Sequence, residues 1–291
     1  MPNYREFNVR LNAMSGMRRV TSTMKMVAAS HLHRAQNELL FPVPFNKELR
    51  KLTALASQLP AAHKHRLCLQ PSASPAKILL LVMSSDRGLC GAFNSMIVHE
   101  VRDWVAEQRA SREITIEVIY VGLKGFSALH RELPACLETF DLSAHPIFQE
   151  TEPISTYAMD KFMDGTYTEV WMTGSRFVNT LKHDPETKRI LPIDPEAECQ
   201  AGGQLALTPI LEPADDRMLV TIARQLVHYH VFQAQLHRAA SEQASRVMAM
   251  ESATTNLRVM EKALTLQRNR ARQATITNEL TEIVSGAETL A

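Results

Sequence analysis

The residues best placed to do chemistry are Ser84-Ser85-Asp86-Arg87-Gly88-Leu89-Cys90-Gly91-Ala92, a glycine-containing turn directly after the apolar run Lys77–Met83. A strand-to-helix turn is where an α/β domain holds a nucleotide phosphate. This one lacks the third glycine of GxGxxG and has no GK[ST], so neither phosphate-binding backbone cradle is present. Asp86 and Arg87 read as turn residues, and Asp215 and Asp216 as helix caps. His31/His33 and His228/His230 are candidate metal ligands. On a helix, residues two apart point about 200° apart, so neither pair closes on one ion. Both pairs read as partly exposed helix histidines. His63 and His65 lie in a linker without a third ligand nearby. No Ser/His/Asp or Cys/His arrangement can be assembled, and the residues imply no catalytic machinery, cofactor or metal.

These residues have to be positioned by elements of two kinds. From Asp215 to Ser285 there is neither proline nor glycine, enough for one helix about 100 Å long at roughly 1.5 Å per residue. A helix over Tyr4 to Leu40 is expected at the other end, weakened by Gly16 by about 1 kcal/mol and stopped by Pro42 and Pro44. A shorter helix follows over Asn46 to Gln58, then a proline- and serine-bearing linker, Leu59 to Ala76. Lys77–Met83 reads as a central strand buried on both faces, followed by a helix over Ala92 to Gln108. Strands at Ile114–Val121, Thr168–Thr173 and Arg176–Leu181, a helical piece at Gly125–Arg131 and loops from Asp184 to Pro213 complete the middle. Alternating strands and helices predict a layered α/β domain.

The expected fold is therefore an antiparallel coiled coil of the terminal helices with an inserted Rossmann-like α/β domain. The expected boundaries are 1–58 for the N-terminal helices, 59–76 for the linker, 77–213 for the α/β domain and 214–291 for the C-terminal helix. A seven-residue frame puts Leu236, Gln243, Met250, Leu257, Leu264 and Ala271 at one seam position of the long helix. The other holds Ala240, Val247, Thr254, Glu261, Arg268 and Thr275. The second half of that seam is too polar for a free zipper. Ala13, Gly16, Thr23, Ala28 and Ala29 are expected to let the N-terminal helix approach closely. About 70 helical residues overshoot a domain diameter of about 30 Å, so the excess needs a protein sleeve.

Composition narrows the class. The chain has 291 residues, 45% hydrophobic and 22% charged, with a net charge of +1, which argues against bulk electrostatic binding of nucleic acid. Cys68, Cys90, Cys136 and Cys199 form no CxxC and suit a reducing compartment. No apolar run reaches a membrane span of about 20 residues. The start has no signal-peptide pattern. A cytoplasmic protein is the expectation.

Particular blocks point to a family. Met24-Lys25-Met26-Val27-Ala28-Ala29-Ser30 with Arg34-Ala35-Gln36 resembles the N-terminal signature of the gamma subunit of F-type ATP synthases. The Ser84–Asn94 block and Arg176-Phe177-Val178-Asn179-Thr180-Leu181 are similar to further blocks of that family. The segments Ala240–Met250 and Ala271–Ala287 resemble it almost residue for residue. The resemblance implies a non-catalytic rotor whose terminal helices turn inside a ring of alpha and beta subunits. Its α/β domain would meet an epsilon subunit and the c-subunit ring, coupling proton- or sodium-driven rotation to ATP synthesis or hydrolysis at alpha–beta interfaces. By matched position, Met24, Lys25, Arg246, Arg272, Gln273, Thr277 and Glu279 would contact beta-subunit loops, and Glu212 would face epsilon and the c ring. It further implies no cofactor and a peripheral place on the cytoplasmic face of a bacterial membrane. The chain departs from the family at His31 and His33, where a lysine and a basic residue are usual, at Phe41–Phe45, and at His228-Tyr229-His230. A coiled-coil scaffold with an α/β recognition domain is the alternative, and the polar tail argues against it.

Overall fold

The computed structural model describes residues 4–57, 65–69, 76–133, 136–140, 143, 145–194, 197 and 216–288. They form two compact units, one of Met1–Ala29 with Arg246–Ala291 and one of Ser30–Ser245. The elements in chain order are α1 (Tyr4–Leu40), α2 (Val43–Ser57), β1 (Ala76–Met83), α3 (Phe93–Ser111), β2 (Ile114–Val121) and α4 (Leu123–Leu129). Then come β3 (Cys136–Phe140), a 3-10 turn (Phe148–Thr151), α5 (Glu152–Met163), β4 (Glu169–Phe177), β5 (His183–Leu191) and α6 (Asp216–Glu288).

The larger unit is built on a five-stranded sheet in the order β3-β2-β1-β4-β5. β1 lies parallel to β2, with Ile78 opposite Ile116 and Met83 opposite Val121, and parallel to β4, with Ile78 opposite Glu169. Successive side chains of a strand face opposite ways, and β1 uses both. Ile78, Leu80 and Val82 pack with Phe93, Ile97, Val101 and Trp104 of α3. Leu79, Leu81 and Met83 pack with Ile154, Ala158 and Phe162 of α5 and with Leu219, Ala223 and Leu226 of α6. Two layers of helix over one continuous apolar strand are what a run such as Ile78–Met83 requires.

Several expected elements shift. β5 runs antiparallel to β4 where loops were expected from Asp184. Its sequence, His-Asp-Pro-Glu-Thr-Lys-Arg-Ile-Leu, is polar and largely half-buried, the composition of an edge strand, where proline is tolerated and apolar patterning is absent. The segment Arg176–Leu181 is not a separate strand. Its first two residues end β4, and the rest is a turn in which Asn179 Oδ1 accepts from the backbone N–H of Leu181 and Lys182 at 2.9 and 2.8 Å. β3 and α5 were not expected at all.

The histidine reading also needs correction. His228 and His230 are buried, each 7% exposed, rather than partly exposed. His228 stacks on Phe148 with ring centroids 3.8 Å apart, and its Nε2–H donates to Phe148 O at 2.8 Å, with Thr151 Oγ1 3.1 Å away. His33 is exposed and His31 half-buried.

One buried charge anchors the start of β4. Glu169 is 1% exposed; its carboxylate accepts from both guanidinium arms of Arg112 and from Trp171 Nε1 at 2.6 Å. Burial alone would raise this carboxyl, but the Arg112 and Trp171 hydrogen bonds, with Arg189 nearby, hold it below the usual 4.5. A group with a depressed folded value adds stability above its unfolded value and loses it as pH falls through the folded one. Glu169→Gln should therefore cost about 2–3 kcal/mol at neutral pH by leaving Arg112 uncompensated. Urea unfolding should show the gap between variant and parent closing as pH drops below about 4.5. An equal gap at neutral and acid pH would mean that the charge is not what matters.

Candidate partner interface

Within the smaller unit, polar contacts join α1 to the C-terminal part of α6. Arg18 Nε lies 3.0 Å from Glu261 Oε2, the hydroxyls of Thr21 and Thr254 meet at 3.0 Å, and Lys25 pairs with Glu251. Rising numbers on one helix meet falling numbers on the other, which fixes an antiparallel register. The buried and half-buried positions of α1 include Phe7, Leu11, Met14, Arg18, Thr21, Lys25 and Ala28, and those of α6 include Met250, Thr254, Leu257, Glu261, Leu264, Arg268 and Ala271. Both series step by three and four, the spacing of a helix-pair seam. The expected frame on α6 is the observed one, as far as Ala271.

The polar seam positions divide: Arg268 bonds Asn269 of its own helix and Thr275 is exposed, while two others are matched across the pair. Thr254 and Glu261 each find a partner on α1, so the seam carries polar rungs between apolar ones. Exposed ion pairs contribute little energy; these set register, as a wrong offset would leave their groups unmatched. The small residues of α1 also behave differently from expectation. Ala13, Gly16, Thr23 and Ala29 are exposed, and only Ala28 is buried. A Cβ on Gly16 would meet nothing within 4 Å. Together with exposed Val9, Val20 and Val27, Ala13 and Gly16 occupy one narrow outward sector at about 100° per residue.

In the antiparallel register, the described turns of α1, from Tyr4 onward, do not lie beside the end of α6. From Arg272 to Ser285 every residue is exposed. This tail nevertheless has a face. Ile276, Leu280, Ile283 and Val284, all large and exposed, recur at i, i+4, i+7 and i+8, an apolar stripe of helical period. Gln273 and Thr277 share that side, and Glu279 borders its opposite edge at about 100° per residue. The Thr275, Thr277 and Thr281 hydroxyls donate to carbonyls one turn earlier, at 3.0, 2.9 and 2.8 Å.

The sequence-selected residues therefore fall into separate environments. Arg272, Gln273, Thr277 and Glu279 come together on the exposed tail. Met24 and Lys25 are half-buried on α1, with the Lys25 ammonium engaged by Glu251. Arg246 is buried. Glu212 lies outside the described residues. The stripe Ile276–Val284 was missed, although its spacing was legible, because the seam frame was extended past the end of its partner.

The turn after β1 has its polar groups engaged internally. Ser84 Oγ donates to Gly122 O at 3.0 Å and accepts from Gly125 N at 2.9 Å. The backbone N–H of Ser85 donates to Asn94 Oδ1 at 3.1 Å. Asp86 Oδ1 accepts from Leu123 N at 3.0 Å, so it caps α4, not α3. Gly122, at φ +103°, packs so closely on Ser84 that a Cβ would collide with the Ser84 carbonyl. Among the described residues there is no cluster of three or more His, Cys, Asp or Glu suited to a metal ion, and no helix long and apolar enough to cross a membrane.

Comparisons with known proteins agree on one family. A family model described as ATP synthase matches residues 3–290. The ATP synthase gamma chain of Roseiflexus sp. (strain RS-1) is 32% identical over 294 residues, covering 100% of this chain and 99% of that one. The ATP synthase gamma chain of Ruegeria pomeroyi is 34% identical with full coverage of both. Among solved structures, the central stalk and c-ring of Tetrahymena thermophila mitochondrial ATP synthase matches with a TM-score of 0.63 and 26% identity, over 80% of this chain and 99% of that one. A chain of the Euglena gracilis mitochondrial enzyme shares the fold, with a TM-score of 0.67 at 17% identity, covering 99% of this chain and 94% of that one. With a paired-helix unit, a mixed-sheet unit and relatives matched end to end, the chain belongs to the gamma-subunit family of ATP synthase, the central rotor stalk of that enzyme.

Proposed function

We propose that the chain couples rotation to catalysis without catalysing anything itself. Its helix pair turns within a ring of alpha and beta subunits, while the sheet-bearing segment, 77–213, engages an epsilon subunit and the c ring. In the same reading, residues 1–58 and 214–291 supply the shaft, and 59–76 links them to the sheet. The complex works at the cytoplasmic face of a bacterial membrane, where the chain is peripheral. One observation carries this reading: the tail from Arg272 to Ser285 is helical yet wholly exposed, with an apolar stripe and flanking polar groups that none of the described residues covers.

Charge supports the same assignment. Segments 1–29 and 246–291 hold eleven Lys and Arg against six Asp and Glu, in a chain with net charge +1. Arg258, Lys262, Arg268, Arg270 and Arg272 concentrate that excess near the end of the seam, which favours acidic counterparts in a surrounding collar. The outward sector of α1, with Val9, Ala13, Gly16, Val20 and Val27, offers a low-relief surface over which neighbours slide without interlocking. Arg272, Gln273, Thr277 and Glu279 act as contacts from the tail, Met24 and Lys25 from α1, and Arg246 from α6 before the paired section. Glu212 is assigned to the epsilon and c-ring side.

The engagement of Ser84, Ser85 and Asp86 with neighbouring groups supports the absence of a phosphate site. The purified chain is expected neither to hydrolyse ATP nor to bind it, and calorimetry showing stoichiometric, saturable binding would refute this. Replacing Gln273, Thr277 and Glu279 together with alanine should lower ATP-driven rotation and coupled turnover of the assembled enzyme several-fold while leaving its assembly intact. These side chains are exposed and support no core, so parental turnover in a correctly assembled triple variant would remove them from the contact set. Hydrogen exchange gives a third measurement. A helix lacking tertiary burial is marginal, so amides from Arg272 onward should exchange rapidly in the free chain and become protected in the complex. Those of β1 and β2 should be protected in both, and strong protection of the tail in the free chain would show that it needs no collar.

A further inference from the structure

Within the sheet-bearing unit, the β4–β5 turn meets α6 at two histidines. The backbone N–H of Phe177 donates to His237 Nδ1 at 3.2 Å, and His183 Nε2 lies 2.7 Å from Ser245 Oγ. The two contacts answer differently to a proton. A serine hydroxyl donates or accepts, so the His183 contact survives in either charge state. A backbone N–H only donates, and His237 Nδ1 must meet it with a lone pair. The ring hydrogen of neutral His237 is therefore on Nε2.

Little around His237 would stabilise a positive ring. It borders a cavity of about 20 Å³ with Gly174, Arg176, Glu186, Lys188 and Ala234, room for about one water. Among the described residues, the charged groups facing it are thus Arg176 from β4 and Glu186 and Lys188 from β5, with Asp184 and His183 nearer the turn. Both carboxylates are already engaged. Glu186 meets Arg176 Nε at 3.3 Å, and Asp184 lies 3.9 Å from Arg176 Nη2 and 3.5 Å from Lys182 Nζ. On α6 itself, Arg238 and Glu242 pair with each other. Burial first, then Lys188 and Arg176, holds the His237 imidazole well below the usual 6.5, at about 4.

We propose that His237 is a proton-operated release for the β4–β5 turn, holding Phe177–Lys182 against α6 while neutral and freeing it when Nδ1 takes up a proton. The doubly protonated ring has two donors and no acceptor, so neither a tautomer shift nor a ring flip restores the bond to the Phe177 N–H. The turn itself stays folded. Val178 N–H donates to Lys182 O at 3.1 Å, and Asn179 Oδ1 holds the N–H groups of Leu181 and Lys182. It therefore leaves as a unit, hinged on the β4–β5 ladder. A histidine whose value is depressed only while docked binds fewer protons docked than released. Docking is thus fully favoured above about 6.5 and weakens as pH falls from there toward about 4. Acid loosens the contact between the antiparallel edge of the sheet and α6.

Hydrogen exchange on the full chain, corrected for the intrinsic pH dependence of amide exchange, tests this at pH 7.5 and 5.0. Protection at Phe177 should fall by roughly tenfold or more at the lower pH, while Leu80 of β1 stays constant. His237→Asn places Oδ1 where the ring has Nδ1 and accepts from Phe177 without titrating, so its Phe177 protection should be the same at both pH values. Parental protection that does not change with pH, or an equal loss in H237N, would overturn the release. Should H237N fold poorly, NMR titration of the parent decides instead. A Phe177 amide that shifts with the His237 ring, at a midpoint below free histidine, supports the proposal. A ring midpoint at or above free histidine, or a Phe177 amide that does not follow it, refutes the proposal.

Discussion

Unequal length is the constraint on which the helix-pair unit depends. α1 has 37 residues and α6 has 73, and the antiparallel register set by Arg18–Glu261, Thr21–Thr254 and Lys25–Glu251 determines where one helix runs out alongside the other. A helix satisfies its own backbone hydrogen bonds along its whole length, but it buries side chains only where something lies beside it. Up to Ala271 that neighbour is α1. Beyond it none of the described residues lies alongside, and the composition changes accordingly, from seam residues to an apolar stripe edged by polar groups.

The sheet-bearing unit follows the opposite logic, since its central strand is covered on both faces from within. β1 presents apolar side chains to both helical layers, and the turn that follows it ties Ser84 and Asp86 to the β2–α4 connection and Ser85 to Asn94 of α3. In a nucleotide-binding relative of this layout, the same turn would keep backbone N–H groups open for a phosphate. Here Ser84, Gly122 and Gly125 have closed that space with a direct packing contact.

How much of this was legible depended on whether the signal was local. The bounds of α1 and β2 were read correctly because proline stops one and β-branched alternation marks the other. The seam of α6 was legible for the same reason, as Met250, Leu257 and Leu264 repeat at a fixed interval. β5 was not, because an edge strand such as His183–Leu191 needs no apolar pattern and is defined by its partner β4. Burial of His228 was hidden too, since it depends on Phe148, eighty positions away in sequence. The exposed tail was half legible: Gln273, Thr277 and Glu279 were selected by resemblance. Recognising Ile276, Leu280, Ile283 and Val284 as a face required knowing where α1 ends.

The threonines of the tail have a mechanical consequence. Along the seam α6 is braced by a second rod, and polar rungs resist sliding of one helix past the other, so the pair bends and twists as a composite beam. Past Ala271 there is a single rod, and Thr275, Thr277 and Thr281 each direct a hydroxyl to a carbonyl one turn earlier, a contact that loosens and bends helices. The free end is therefore the compliant part of the shaft. Sideways load is absorbed there by flexure, while torque passes through the stiffer, doubled section below.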